Sequence, residues 1–267
     1  MIPGLNMPDY GTSMTSTIYV RGLGSRMDNP VIGLYVDDVP ILDKNCYDFA
    51  FSDIRRIDFL HGPQGTLYGR NSMLGVLSIE TLSPTAYQGT RGTIEYGSAS
   101  SLSAKLSTYK GRFGFAAAYG HTDGFFINEY DGSNCGLSDS FSARARFVGG
   151  IGKVSLDNIL TVSYIDQSGY PYRKWMPGTG ELLPVDYNDK SGYRRFFLMD
   201  GFRLKTEWRN WKISSVTSLQ ALFDSMDMDQ DFTPMSMFTL NQDQKQSALT
   251  QEFIFIPKAH PVWWDSQ

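Results

Sequence analysis

The sequence predicts a small α+β domain over residues 1–88, followed over 89–267 by antiparallel β-strands of the kind that cross a membrane in a barrel. Three observations carry this. Residues 18–79 hold short apolar segments broken by glycine-rich turns. From about residue 91 the side chains alternate with period two for roughly ten residues at a time, longer than the five or six usual in soluble sheets. The links between these segments alternate between short and mostly longer, as in barrels with tight turns at one rim and loops at the other.

Composition is consistent with a folded chain and removes several function classes. Hydrophobic residues make up 41% and aromatic residues 14%, with 26 Gly and 15 Tyr, a mixture suited to many strands joined by turns. With 24 basic against 28 acidic residues there is no basic stripe for a phosphate backbone, so nucleic acid is not an expected partner. No run of 18 or more apolar residues exists, which excludes a transmembrane helix and leaves strands open. Cys46 and Cys135 do not form a disulfide framework pattern, and two free thiols are expected.

In the first unit, residues 1–16 are rich in Gly, Pro, Asn, Asp and Ser and read as loop. Ile18 and Val20 alternate with Tyr19 and Arg21 in a strand that stops at Gly22; after a turn at Asp28-Asn29-Pro30, a second strand runs over 31–39. Asp37 and Asp38 stand near its end. Adjacent strand residues point to opposite faces, so a turn is expected there rather than a shared metal or catalytic site. A short helix or helical turn is expected over 48–54, with Ser52 or Asp53 near its start. The segments around Ile57 and Phe59, and around Val76, Leu77 and Ile79, then flank a loop containing Gly62, Gly65 and Gly69. Pro63 fixes one φ angle in it, and Gln64, Tyr68, Arg70 and Asn71 crowd hydrogen-bonding groups into it, so it is built to hold a shape. Pro84 stops the last strand of this unit.

The second unit supplies about eight strands, near 92–97, 101–109, 112–122, 138–149, 152–166, 196–210, 211–224 and 246–256. Short links fall at Lys110-Gly111, Gly149-Gly150-Ile151 and Asn210-Trp211, and longer ones at about 123–137, 167–195 and 225–245. Trp208, Trp211, Trp263 and Trp264 lie beside the short-turn rim, where a periplasmic aromatic girdle belongs. Glu252 has the parity opposite to Leu249, Phe253 and Phe255 and is expected to face the lumen.

Three ordered motifs carry a family resemblance: Ile18-Tyr19-Val20-Arg21-Gly22-Leu23-Gly24, then Gly33-Leu34-Tyr35-Val36-Asp37-Asp38-Val39-Pro40, then Asp58-Phe59-Leu60-His61-Gly62-Pro63-Gln64-Gly65-Thr66-Leu67-Tyr68-Gly69-Arg70-Asn71. Together they resemble the plug-domain signature of TonB-dependent outer-membrane receptors. His61 stands where that family usually has Arg, Asp58 where it has Glu, Leu74 where a second Gly is common, and Ser78 where Asn is usual.

The resemblance implies an N-terminal plug inside a barrel of about 22 strands, in the outer membrane of a Gram-negative bacterium. It implies import of a scarce nutrient (a ferric chelate, cobalamin or a glycan), powered by the TonB complex of the inner membrane. On this view the chain is part of a longer protein, with a TonB-contacting segment and export signal before it and about fourteen strands after it. Plug arginines in the family pair with barrel carboxylates, so Arg21, Arg56 or Arg70 is the expected partner of Glu252, and His61 would add a positive charge only when protonated. No enzyme, cofactor or metal is expected, since His-Glu-x-x-His, Cys-x-x-Cys, Gly-x-Ser-x-Gly and a phosphate-binding loop are all missing. Tyr170, Tyr172, Trp175, Tyr187 and Tyr193 are candidates for stacking on a ligand. A soluble β-rich binding module is the alternative, and it predicts a monomer soluble without detergent.

Overall fold

A computed structural model describes all residues except 1–3, 9, 14–17, 25–29, 49–50, 69–70 and 259–267. The first unit holds a four-stranded sheet in the order β2-β1-β4-β3. These strands are β1 (Ile32–Val36), β2 (Val39–Ile41), β3 (Ile54–His61) and β4 (Gly75–Thr81). β1 runs parallel to β4 and the other pairs are antiparallel. Asp37 and Asp38, at φ +50° and +65°, form the two-residue turn between β1 and β2, as a tight hairpin requires. The described residues of the 48–54 stretch form no helix before β3 begins at Ile54; a 3-10 turn stands upstream at Lys44–Cys46, where Asp43 caps the Asn45 amide at 2.9 Å.

The second unit is one eight-stranded antiparallel meander. Its strands are β5 (Gly89–Tyr96), β6 (Leu102–Lys110), β7 (Phe113–Thr122), β8 (Leu137–Ile151), β9 (Val154–Ser168), β10 (Gly192–Trp208), β11 (Trp211–Asp229) and β12 (Thr239–Pro257). Every strand pairs with its neighbours in sequence. Two-residue turns at Gly111-Arg112, Gly152-Lys153 and Arg209-Asn210 share one rim, and the longer links over 123–136, 169–191 and 230–238 share the other. Several strands outrun their expected lengths at the long-loop end, because alternation there is diluted by polar residues while the backbone ladder continues.

Period two gives the sheet two unlike faces. Tyr119, Phe141, Tyr164, Phe196 and Phe223 sit side by side in register across β7 to β11, and all are exposed on the outward face. Leu249, Phe253 and Phe255 on β12 are 73%, 61% and 58% exposed. Apolar exposure on this scale marks a surface that meets lipid. Trp208 and Trp211 are paired across the short turn and exposed, as a girdle at that rim requires; Trp263 and Trp264 lie outside the described residues.

The inward face receives the first unit. Val36, Val39, Ile41, Cys46, Tyr47 and Ile79 share one core with Phe197, Met199, Val216 and Leu222 of the wall. A Cβ at Gly201 would lie 2.5 Å from Val39 Cγ2, so only glycine on β10 lets the β1–β2 hairpin seat this closely. Gly75 plays a comparable part within the small sheet: its φ is +153°, and a Cβ would lie 2.5 Å from the Leu60 carbonyl oxygen.

Candidate functional site

The seam between the small sheet and the wall is lined by acids on one side and arginines on the other. Asp37, buried at the β1–β2 turn, accepts from the Thr81 amide at 3.0 Å and the Thr81 hydroxyl at 2.6 Å. It also accepts from Arg146 Nη1 at 3.3 Å. Arg146 is held from the other side by a two-point contact with Asp157 of β9, Nε at 3.0 Å and Nη2 at 2.8 Å. Arg203 bonds Asp157 through Nη2 and reaches Asp38 through Nη1 at 2.6 Å, and Lys205 Nζ lies 3.4 Å from the same Asp38 oxygen. Partial burial would raise the Asp38 carboxyl, but the Arg203 and Lys205 charges outweigh it and hold the group below the usual carboxylate range.

Asp53 is buried, accepts from Tyr109 Oη at 2.5 Å, and pairs with Arg144 Nη2. Arg195, whose side chain is fully buried, donates through Nη2 to Asp48 at 2.5 Å. Wall groups other than arginine add to the contact: Asp224 accepts from Asn45 Nδ2 at 3.1 Å and Gln244 Nε2 donates to Asp43 at 2.8 Å. Gln220 Nε2 donates to the Pro40 carbonyl at 2.6 Å, and Gln167 clamps residues 11–13 by donating to the Gly11 carbonyl at 2.9 Å and accepting from the Ser13 amide at 3.1 Å.

Two cavities lie at the ends of this seam. One of about 570 Å³, at the long-loop rim, is lined by Met7, Tyr10, Thr12, Asp48, Phe125, Phe126, Ser138 and Gln167, within the size range of small-molecule sites. The other, about 500 Å³, opens at the short-turn rim between Tyr35, Asp38, Tyr68, Lys205, Lys212 and Glu252.

Among the described residues the ion pairs across the seam run opposite to the sequence expectation, from plug aspartates to wall arginines. Glu252 does face the lumen, and its neighbours among the described residues are Tyr35, Tyr68 and Asp38. Arg56 stays on its own sheet, 2.7 Å from Asp58 and 3.4 Å from Glu80, with its side chain exposed. Arg21, at φ +50° beside Gly22 at +80°, is exposed, and its amide donates to the Gly4 carbonyl at 2.7 Å. Arg70 and Gly69 lie outside the described residues. The reason is on the wall: Arg144, Arg146, Arg195 and Arg203 all take the inward parity on β8 and β10, so the seated domain must meet them with acids. Their parity was visible in the sequence beside Ser140 and Ser142, as were the acids.

The signature loop keeps the seated domain in shape. Gly62, at φ +83°, donates to the Leu74 carbonyl at 3.1 Å, and the Gln64 amide donates to Ser72 at 2.9 Å. After Pro63 the chain forms one helical turn over Gly65–Tyr68, and Asn71 follows at φ +62°. The Tyr35 hydroxyl donates to the Tyr68 carbonyl while the two rings pack edge to face at 4.9 Å. Burial is the largest influence pushing the Tyr35 phenol up to about 12, with Glu252 and Tyr68 adding to it. His61 packs edge-on against Phe59 at the exposed end of β3 and makes none of the ion pairs across the seam among the described residues. Cys46 and Cys135 are both buried and unbridged. Tyr170, Tyr187 and Tyr193 are buried supports of the long loops rather than an open stacking platform, whereas Trp175 is exposed.

A sheet seated by ion pairs against the inner face of a lipid-facing antiparallel wall defines a plugged outer-membrane barrel protein. Residues 1–76 match the family described as TonB-dependent Receptor Plug Domain. The pesticin receptor of Yersinia enterocolitica is 42% identical over 99 residues, covering 36% of this chain and 14% of that receptor. The vitamin B12 transporter BtuB of Vibrio vulnificus is 26% identical over 157 residues, covering 55% of this chain and 25% of BtuB. Among solved structures, the ferric yersiniabactin uptake receptor FyuA from Yersinia pestis superimposes with a TM-score of 0.77 at 25% identity, covering 97% of this chain and 42% of FyuA. Residues 1–76 belong to the TonB-dependent receptor plug-domain family, the chain resembles part of receptors of the Gram-negative outer membrane, and it spans less than half the length of these relatives.

Proposed function

We propose that the protein of which this chain is part imports a scarce nutrient across the outer membrane, with residues 1–88 as the plug and 89–267 as the opening strands of the barrel. The observation that carries this reading is the seam itself: a folded sheet seated in the lumen by Asp–Arg pairs beneath an outward cavity of about 570 Å³. Such an arrangement closes the passage until the plug is displaced, and coupling to the TonB complex supplies that displacement. The relatives are receptors and transporters, which supports a transport role over an enzymatic one. A ferric chelate is the favoured passenger, because FyuA, which superimposes over 97% of this chain, is described as a ferric yersiniabactin uptake receptor; cobalamin follows from BtuB, and a glycan is third.

The test is uptake by the full-length gene product in iron-starved Gram-negative cells with and without TonB. Accumulation of radiolabelled ferric chelate or cobalamin only in the TonB-containing cells is expected. Equal accumulation in both, or recovery of the full-length protein in the aqueous fraction of a membrane extraction, would overturn the reading.

A further inference from the structure

The pairing across the seam has a regular form. Each wall arginine at the plug surface meets a plug aspartate: Arg195 meets Asp48, Arg144 meets Asp53, Arg146 meets Asp37 and Arg203 meets Asp38. The strand register places the arginines at successive depths. Arg144 aligns through Thr161 with Met199 of β10, Arg146 through Ile159 with Gly201, and Asp157 lies opposite Arg203. Read down β10, the cations therefore stand at the levels of residues 195, 199, 201, 203 and 205, a stretch of about 33 Å at the rise of an extended strand. Asp48 lines the outward cavity at the top, and Lys205 lines the short-turn cavity at the bottom.

The wall supplies part of the charge that neutralises this row: Asp157 of β9, and Asp224 of β11, which is buried and stands opposite Arg195 in register. Arg146 and Arg203 share Asp157, but among the described residues the carboxylates within ion-pair distance of Arg144 and Arg195 belong to the plug. These two guanidiniums are also under-satisfied: Nε and Nη1 of each are buried without a hydrogen-bond partner. The buried hydroxyls of Ser163, between their levels, and of Thr161, at the level of Arg144, likewise lack one among the described residues. The plug thus masks a line of donors that it only partly satisfies, and arginine cannot shed its charge when the mask is removed.

We propose that Arg195, Arg144, Arg146, Arg203 and Lys205 form a masked anion track connecting the two cavities, and that the passenger bears anionic oxygens (carboxylates or phenolates) that replace the plug aspartates one after another as the plug withdraws. No covalent step is involved; each exchange trades one carboxylate on a guanidinium for another anion. The track makes plug displacement easier in the presence of a suitable anion, and it selects against a cationic passenger. The inference rests on the transport reading above.

The experiment uses the full-length receptor in outer-membrane vesicles and needs neither TonB nor an identified passenger, so it separates failure of the track from failure of the import role. Cys46 is a buried free thiol in the core shared by plug and wall, and its alkylation, followed by mass spectrometry, reports plug opening. Labelling in mild urea is compared between citrate and potassium chloride at matched ionic strength. Citrate is expected to speed labelling about threefold, as mass action gives when an anion that binds only the open state is present at about twice its dissociation constant. The citrate-to-chloride ratio should fall toward one in R144Q/R195Q and partway in K205Q, a substitution at an exposed side chain that leaves the core untouched. A ratio of one in the unaltered receptor overturns the track, whatever the fate of the variants. So does a raised ratio that persists in K205Q and R144Q/R195Q alike.

Discussion

The two ends of the seam hold the plug by different means. Toward the short turns, Arg146 and Arg203 are bridged by Asp157 of the wall, so each keeps a carboxylate when the plug leaves. Toward the long loops, Arg144 and Arg195 depend on the plug for their carboxylate contacts. The lower latch can therefore open without stranding a buried charge, whereas at the upper one Arg195 keeps Asp224 opposite it on β11 and Arg144 is left with no wall carboxylate at ion-pair distance among the described residues. This asymmetry suits a plug pulled from the periplasmic side, with the energetically harder contacts lying nearest the outward cavity.

The comparison breaks most readily at Asp53. Asp53→Ala leaves Arg144 only the 3.9 Å approach of Asp37, and removing one partner of a buried pair costs about 3–5 kcal/mol; plug unfolding of the full-length receptor in urea should fall by up to that order, and a loss below about 1 kcal/mol would mean the upper latch is not the stronger one. Replacing both partners, Asp53→Leu with Arg144→Met, should recover most of the loss. Gly201→Ala tests the seating independently of charge. Its new methyl meets Val39, so about 1–3 kcal/mol of plug stability should disappear and return in part with Val39→Ala, as read by thermal melting.

Arg203→Gln should cost less, about 1 kcal/mol or below, because Asp38 is exposed and Arg146 retains Asp157. The lower latch also carries a pH signature. The Asp38 carboxyl is lowered in the folded protein, so its contribution is fully present above the ordinary carboxylate pKa of about 3.9 and is lost as pH falls through the lowered value. The difference in plug stability between the unaltered receptor and Asp38→Asn should stay constant from about pH 8 to 5 and shrink only below about 4. A difference that vanished near pH 6 would point to some other titrating group. The smallest effect is expected at Arg56→Ala, whose partners Asp58 and Glu80 lie on the plug's own exposed surface; a change beyond about 1 kcal/mol there would restore a barrel-facing role to Arg56.

Much of the fold was legible in the chain. Alternation along β8, β9 and β10 marked both faces, and the short links expected at Lys110-Gly111, Gly149-Gly150-Ile151 and Asn210-Trp211 marked one rim against the long links at the other, although the middle turn falls later, at Gly152-Lys153. Even the place where the plug touches the wall left a trace, since Phe196-Phe197-Leu198-Met199 is apolar on both parities and the inward pair packs on plug residues. What misled the expectation was charge. A family habit of plug arginines and barrel acids directed attention to Glu252, while Arg144 and Arg146 stood on the inward face two residues apart.

What the sequence by itself determined is local and periodic: which side chains leave each strand on which side, where the backbone can turn, and which signature loop it carries. Only the tertiary structure decided which charges meet. Asp53 and Arg144 are 91 positions apart, and Asp38 and Arg203 are 165 apart. Their meeting depends on the accumulated register of several hairpins together with the seat that Gly201 opens for Val39, and no short window of residues contains that information.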